Sequence, residues 1–289
     1  MPEFVTRFAP SPTGFLHLGH AFSALTAFDA AQAKGGRFVL RIEDIDAGRC
    51  RPEFESAILK DLRWLGIEWG APVRRQSEHF PEYDAALCRL IDRELVYRCF
   101  RTRKEVLDEI ARAPHLALHG PEGPAFIGER LGRDEEQALL DSGASFAWRL
   151  SMARSRVVLG ESFGRLQFVE EEINGKNLRR NAATPEIFGD VVIGRKIRGT
   201  SYHLASVFDD ALQGVTHVIR GEDLRAAAHL HVLLQALLGL PHPVYRHHAL
   251  ITDETGKRLA KRDRSKTLKA LRESGATPSE VRGLVGLTG

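Results

Sequence analysis

A short apolar strand runs into a turn rich in proline and glycine and then into a helix, and this opening order limits the fold more than any other feature. VTRFA, residues 5–9, reads as a buried strand. Leu18, Phe22, Leu25 and Phe28 recur at helical spacing in LGHAFSALTAFDAAQAK, residues 18–34, which stops at Gly35-Gly36. RFVLRIEDID, residues 37–46, reads as a second strand that turns acidic at its end. Pro52 then starts a helix through Leu65, since proline is tolerated in a first helical turn. PEYDAALCRLIDREL, residues 81–95, reads as a helix leading into the strand VYRCF. This alternation predicts an α/β, Rossmann-like fold with a doubly wound parallel sheet, whose ligands collect beyond the C-terminal ends of the strands.

From Arg103 to Asn181 the pattern is less regular: a short helix, the loop APHLALHGPEGPAFIG, a second helix, and the short strands FAWRL and RLQFVE. Strand–helix alternation resumes in DVVIGRKIRGTSYHLASVFDDALQGVTHVIRGEDL. The expected organisation is a discontinuous catalytic domain, residues 1–102 and 182–256, interrupted by a smaller α+β insertion at 103–181. Residues 257–289 follow as a basic loop and short helical segment. No internal repeat or low-complexity stretch interrupts this order.

The 289 residues suffice for about two domains. No apolar run approaches the roughly 18 residues of a membrane helix, and MPEFVTRFAP does not read as a secretory signal, so a soluble cytoplasmic protein is expected. Cys50, Cys88 and Cys99 form no CxxC pair, which argues for reduced thiols over a disulfide frame. Net charge is only +3, but residues 257–272 hold eight Lys/Arg against one Asp, leaving 33 basic and 37 acidic residues elsewhere. That concentration suits either a solvated helix face or a surface for a polyanion.

Two segments carry candidate chemistry. In RFAPSPTGFLHLGH, residues 7–20, His17 and His20 bracket Gly19 where the first strand hands over to the first helix. Backbone N–H groups and the helix dipole there favour an anion, and two imidazoles can donate to phosphoryl oxygens as charge builds. KRLAKRD, residues 257–263, could clamp a triphosphate or be a solvated tail.

Together these residues resemble the class I aminoacyl-tRNA synthetases, in the form used by glutamate enzymes. RFAPSPTGFLHLGH is similar to that family's ATP-site signature, and RLAKR (258–262) to its lysine loop, usually K-L-S-K-R. RIEDIDAGR (41–49) resembles its acidic strand end, and GVTHVIRGEDL (214–224) its late strand and turn. The length and block spacing are similar to the glutamyl-queuosine tRNA(Asp) synthetases, a truncated branch without the long anticodon-binding region that follows the lysine loop in discrete glutamyl-tRNA synthetases.

The resemblance implies activation of L-glutamate by ATP with Mg2+, then transfer to queuosine in the anticodon stem-loop of tRNA(Asp) by a monomeric enzyme. It assigns the amino acid to Arg7, Phe8, Ala9, Pro10 and Ser11, its ammonium to Glu43, and the rest of that pocket to Tyr202 and Arg220. Arginine forks suit carboxylates, and a carboxylate suits an ammonium. His17, Gly19, His20, Arg258, Leu259 and Lys261 are the implied ATP contacts, with His17, His20 and Lys261 catalytic. Other readings are a shortened glutamyl-tRNA synthetase charging tRNA(Glu), a small-molecule adenylyltransferase, and a catalytically silent tRNA-binding paralogue.

Two departures stand out. Ala260 replaces the usual serine of the lysine loop, which implies an altered ATP affinity. Many relatives bind zinc in the insertion through C-x-C, a Tyr and another Cys, whereas the matching segments here read CFR (99–101) and FIGER (126–130). Only Cys99 remains of those thiols, His115 and His119 read as loop residues, and packing without structural zinc is expected.

Overall fold

β1 (Val5–Phe8) and β2 (Arg37–Ile42) run parallel, in register from Val5–Arg37 to Phe8–Leu40, with α1 (Leu18–Ala33) as their crossover. The computed structural model describes residues 3–112, 118–172, 175–195, 199–251 and 267–287. α1 lies close to the sheet because its buried stripe is largely alanine: Ala21, Ala24, Ala27 and Ala31, with Leu18 and Leu25. Gly36 must be glycine, since a Cβ there would sit 2.1 Å from the Phe4 carbonyl oxygen. α2 (Pro52–Trp64) starts at its proline as expected, and β3 (Arg74–Arg75) extends the sheet beyond β2.

The chain then passes through α3 (Phe80–Asp92), β4 (Val96–Cys99), α4 (Arg103–Arg112) and the hairpin β5 (Leu118–Gly120) with β6 (Gly123–Ala125). α5 (Arg133–Asp141), β7 (Ala147–Leu150) and α6 (Met152–Leu159) follow, then the antiparallel pair β8 (Gln167–Glu171) and β9 (Leu178–Ala182). β10 (Val192–Arg195), α7 (Tyr202–Leu212), β11 (His217–Gly221), α8 (Ala227–Leu238) and β12 (Val244–His248) come next, before α9 (Leu268–Glu273) and α10 (Pro278–Leu284).

β11 lies beside β1, where Thr216 N–H donates to Val5 O at 3.0 Å, and β12 pairs parallel with both β11 and β8. Alternate strand residues feed two cores. Phe8, Leu40, Ile42 and Ile219 pack towards α1, α2 and the C-terminal helices, whereas Val5, Val218 and Tyr245 pack towards α3, α7 and α8. This is the doubly wound arrangement expected from the alternation.

Three strands belong elsewhere than their order in the chain suggests. VYRCF, read as continuing the parallel sheet, is β4 and pairs antiparallel with β7. DVVIG, read as the return of the alternation, is β10 and joins the other edge of β7. RLQFVE, read within the insertion, is β8 and bonds to β12. A four- or five-residue apolar run records burial but not the identity of its partner.

The C-terminal helices close the first core with Leu268, Val281 and Val285. Arg272 Nε donates to the buried Asp61 of α2 at 3.0 Å, and Arg282 forks onto Asp29 of α1 at 2.8 and 2.9 Å. Part of the C-terminal positive charge is therefore structural. No helix among the described residues is long and apolar enough to cross a membrane.

Candidate active site

His17 is the N-cap of α1. Its Nδ1 accepts from Gly19 N–H at 3.1 Å, and its own N–H donates to His20 Nδ1 at 3.2 Å, a reciprocal capping box made by two imidazoles. The rings lie 3.8 Å apart. With both Nδ1 atoms accepting, the neutral rings carry their protons on Nε2. α1 has no acidic residue in its first turn, so its positive end is not neutralised from within. A Cβ on Gly19 would meet His17 Cε1 at 3.1 Å and Nδ1 at 3.2 Å, which ties this glycine to the histidine's placement.

The described chain stops at Ile251, packed on the core under α1, and resumes at Thr267, which bridges His17. Leu268 N–H donates to Leu16 O at 2.8 Å. Arg258, Leu259, Ala260 and Lys261 lie outside the described residues.

A buried ionic hub sits beneath the sheet's C-terminal edge. Arg41 of β2 is fully buried and donates to Asp210 at 2.8 Å, Gln213 at 2.8 Å and Glu43 at 3.0 Å. Arg7 of β1 shares Asp210 through Nε at 3.2 Å and donates to Ile219 O at 3.3 Å. Neighbouring Asp209 accepts from Arg74, Gln76 and Tyr83 at 2.8–2.9 Å. Burial opposes the charge on Asp210, but Arg7 and Arg41 outweigh it and hold the carboxyl below its ordinary value. For Glu43 the balance reverses: burial raises its carboxyl despite Arg41.

Arg220, at the end of β11, completes this cationic floor. It is 4% exposed, its Nε donates to His247 Nε2 at 3.3 Å, and Nη1 and Nη2 are buried with no hydrogen-bond partner among the described residues. His247 Nδ1 donates in turn to Glu170 at 2.7 Å, and Arg225 forks onto the same carboxylate at 2.9 and 2.7 Å. Burial, then the charge of Arg220, push His247 down to about 4. It is a neutral acceptor that orients the guanidinium.

Ser11, Glu43 and Tyr202 line one cavity of about 620 Å³. Burial raises the Tyr202 hydroxyl, and the charges of Arg220, Glu43 and Arg7 all act on it. Ser201 caps α7 and so fixes Tyr202 in its first turn. The other expected contacts differ in role. Phe8 turns into the core under α1, Ala9 is partly buried, and Pro10 is buried with its carbonyl accepting from Glu43 N–H at 3.0 Å. These side chains shape the turn and, like Arg7 and Arg220, lie outside the cavity lining.

Arg41, Asp210, His247 and Glu170 were not among the residues expected from sequence. The Asp209–Asp210 pair inside the apolar SVFDDAL offered a signal, since adjacent acids on a buried helix demand cations. Nothing local marked His247 or Glu170.

In the insertion, the described residues at the family's zinc position do not fit a zinc ion, and His115 lies outside the described residues. Cys99 is buried with Tyr97, Val106 and Phe126 in an apolar cluster. The guanidinium groups of Arg149 and Arg101 lie 4.6 and 5.9 Å from the Phe126 ring centroid. Arg130 pins the Glu94 and Val96 carbonyls at 2.8 and 2.9 Å. No group of three or more His, Cys, Asp or Glu placed to hold a metal occurs among the described residues.

The hairpin turn of β5–β6 reaches back to the cavity lined by Ser11, Glu43 and Tyr202. Glu122 bonds to His203 Nε2 at 2.9 Å, a contact that holds its carboxyl below the ordinary value, and His203 Nδ1 meets the buried His231 at 3.2 Å. Glu122 and His203 also border a second cavity, of about 770 Å³, under the antiparallel sheet.

The same arrangement of elements occurs in solved structures. A glutamate tRNA ligase from Elizabethkingia meningosepticum, in complex with its amino acid, superposes with a TM-score of 0.76 at 28% identity, covering 99% of this chain and 60% of that one. The chain thus spans about three fifths of the solved ligase. A Glutamyl-Q tRNA(Asp) synthetase of Rhodobacter capsulatus is 50% identical over 288 residues, 98% of this chain and 100% of that protein. Another from Symbiobacterium thermophilum is 39% identical over 292 residues, 96% of this chain and 84% of that protein. Residues 3–289 match the model for the catalytic domain of class I tRNA synthetases for E and Q. On this fold and these likenesses, the chain belongs to the class I glutamate and glutamine tRNA synthetase family and, within it, to the glutamyl-Q tRNA(Asp) synthetases.

Proposed function

We propose that this chain activates L-glutamate with ATP and Mg2+ and transfers the glutamyl group to queuosine at the wobble position of tRNA(Asp). The observation that carries this reading is Arg220: a buried cation with two donor atoms unpartnered among the described residues, oriented by His247 and acting on Tyr202 alongside Glu43 and Arg7. An unsatisfied buried guanidinium suits a carboxylate ligand. Glu43 supplies the counter-charge for the ligand's ammonium.

In the first step a glutamate α-carboxylate oxygen attacks the ATP α-phosphate, forming glutamyl-adenylate and releasing pyrophosphate. His17 and His20, at the positive end of α1, stabilise the phosphoryl charge, together with Lys261. Gly19, Arg258 and Leu259 complete the ATP contacts. In the second step a hydroxyl of the queuosine ring attacks the activated carbonyl and releases AMP. No protein nucleophile is needed, since proximity and fixed charges supply the acceleration. In this reading Arg7 and Ser11 bound the amino acid, Phe8, Ala9 and Pro10 set the turn that carries them, and residues 103–181 face the acceptor. The enzyme works as a cytoplasmic monomer.

Two assays test the proposal. Glutamate-dependent ATP–pyrophosphate exchange without RNA reads the first step. Transfer of labelled glutamate to tRNA(Asp) with and without queuosine, beside tRNA(Glu), reads the second. Labelling of tRNA(Glu) alone would assign the chain to ordinary charging instead.

A further inference from the structure

The second cavity shares Glu122, Val192, Arg195 and His203 with the cavity lined by Ser11, Glu43 and Tyr202. Its volume of about 770 Å³ lies within the range of roughly 300–1,000 Å³ common for small-ligand sites. Two features of its wall narrow the occupant.

The first is charge. Arg101, Arg103, Arg149 and Arg195 border the cavity, against the carboxylates of Asp190 and Glu122. Asp190 is consumed internally: Oδ2 accepts from Tyr97 at 2.9 Å and Gly128 N–H at 3.1 Å, and Oδ1 from Met152 N–H at 2.8 Å. Glu122 is engaged by His203. Four guanidinium groups against two carboxylates leave the wall net positive, which suits an anion.

The second is aromatic surface. Phe100 and Phe146 meet at 5.5 Å between ring centroids, and both border the cavity, half-buried. A phosphate alone would not need aromatic walls. A flat base joined to phosphates would use both, because bases stack on aromatic rings and guanidinium planes while arginines meet the backbone.

We propose that this cavity seats the acceptor nucleoside, turned out of its RNA loop, with Phe100 and Phe146 against the base and Arg101 and Arg103 towards the flanking phosphates. The shared wall at Glu122 and His203 then separates the seated nucleoside from the activated amino acid, and the reacting hydroxyl crosses that boundary. This assignment rests on the proposed transfer to an anticodon-loop base.

The test is direct binding of an RNA oligonucleotide, the queuosine-bearing anticodon stem-loop of tRNA(Asp), to the full chain, with exchange assayed in parallel. Phe100→Ala is expected to weaken binding about tenfold, as for loss of one stacking surface, and Phe100→Tyr to restore it. Arg103→Glu, at an exposed position, is expected to weaken binding and to lower the dependence of log Kd on log salt by about one. Glutamate-dependent exchange should stay within twofold of wild type in all three. Unchanged RNA affinity in both Phe100→Ala and Arg103→Glu would overturn the assignment. If Phe100→Ala also loses exchange, the Arg103→Glu affinity decides. Failure of wild-type exchange would count against glutamate activation, while the binding series still reads the cavity.

Discussion

Arg220 leans on His247 through a single 3.3 Å hydrogen bond, and the outer atoms of its fork meet no protein acceptor among the described residues. A buried donor left this way costs about 1–3 kcal/mol or more when charged, so the folded chain holds a group that a ligand would satisfy. Glutamate at 100 times its Kd should add about 2.7 kcal/mol to stability by mass action. In Arg220→Lys, which keeps the charge and loses the fork, the KM for glutamate in exchange is expected to rise more than tenfold. Its thermal midpoint should respond far less to glutamate than wild type. An unchanged KM would remove Arg220 from the amino-acid site.

The same pair predicts a pH dependence. His247 falls to about 4 in the fold from an ordinary value of 6.5, chiefly through burial, and is neutral at pH 7. Between these values the unfolded chain binds the extra proton, so the contribution is full above 6.5 and is lost as pH falls through 4. The loss is about 3 kcal/mol for a shift of this size. Protonation would also set His247 against Arg220. Urea unfolding from pH 7 to 4 should show stability falling with pH, and His247→Gln should flatten that slope. Equal slopes in both proteins would contradict the assignment.

Asp210 holds two buried arginines at once, Arg7 and Arg41. Asp210→Asn leaves both cations short of charge inside the fold, a change expected to cost about 3–5 kcal/mol. Denaturant midpoints measure it directly. Because β1, β2 and α7 meet at this carboxylate, exchange should also fall, and a loss of stability below 1 kcal/mol would show the hub to be dispensable.

His17 has two separable roles. As N-cap it accepts from Gly19 N–H, a role asparagine fills well and alanine cannot, at a cost of about 1 kcal/mol. As a phosphoryl contact it needs an imidazole. His17→Asn should therefore keep near wild-type stability while exchange falls more than tenfold, and His17→Ala should lose both. Retained exchange in His17→Asn would leave only the structural role.

Chelation bears on the insertion. Cys99 packs among apolar side chains, and Phe126 faces Arg149 and Arg101. Prolonged dialysis against a strong chelator should leave the melting temperature unchanged to within a degree, with less than 0.1 equivalent of zinc in the starting protein by elemental analysis. A drop in melting temperature restored by zinc would show a metal site.

Much of the local structure was legible because its causes are local. The spacing of Leu18, Phe22 and Leu25, the stop at Gly35-Gly36 and the start at Pro52 mark α1 and α2 to within a residue. The opening motif also placed His17, Gly19 and His20 together, since a capping box needs only neighbours in the chain. Glu43, Tyr202 and Arg220 were reached through resemblance to a family, because no local pattern joins residues so far apart.

The chain order alone settled that strands and helices alternate and where the first turn meets the first helix, through side-chain periodicity and backbone constraints. Tertiary structure decided that β4 and β10 flank β7, that β8 joins β12, and that Arg41 and Arg7 converge on Asp210. It also set His247 behind Arg220. Strand pairing and buried charge compensation depend on which distant groups leave water together, and that is fixed only when the chain closes on itself.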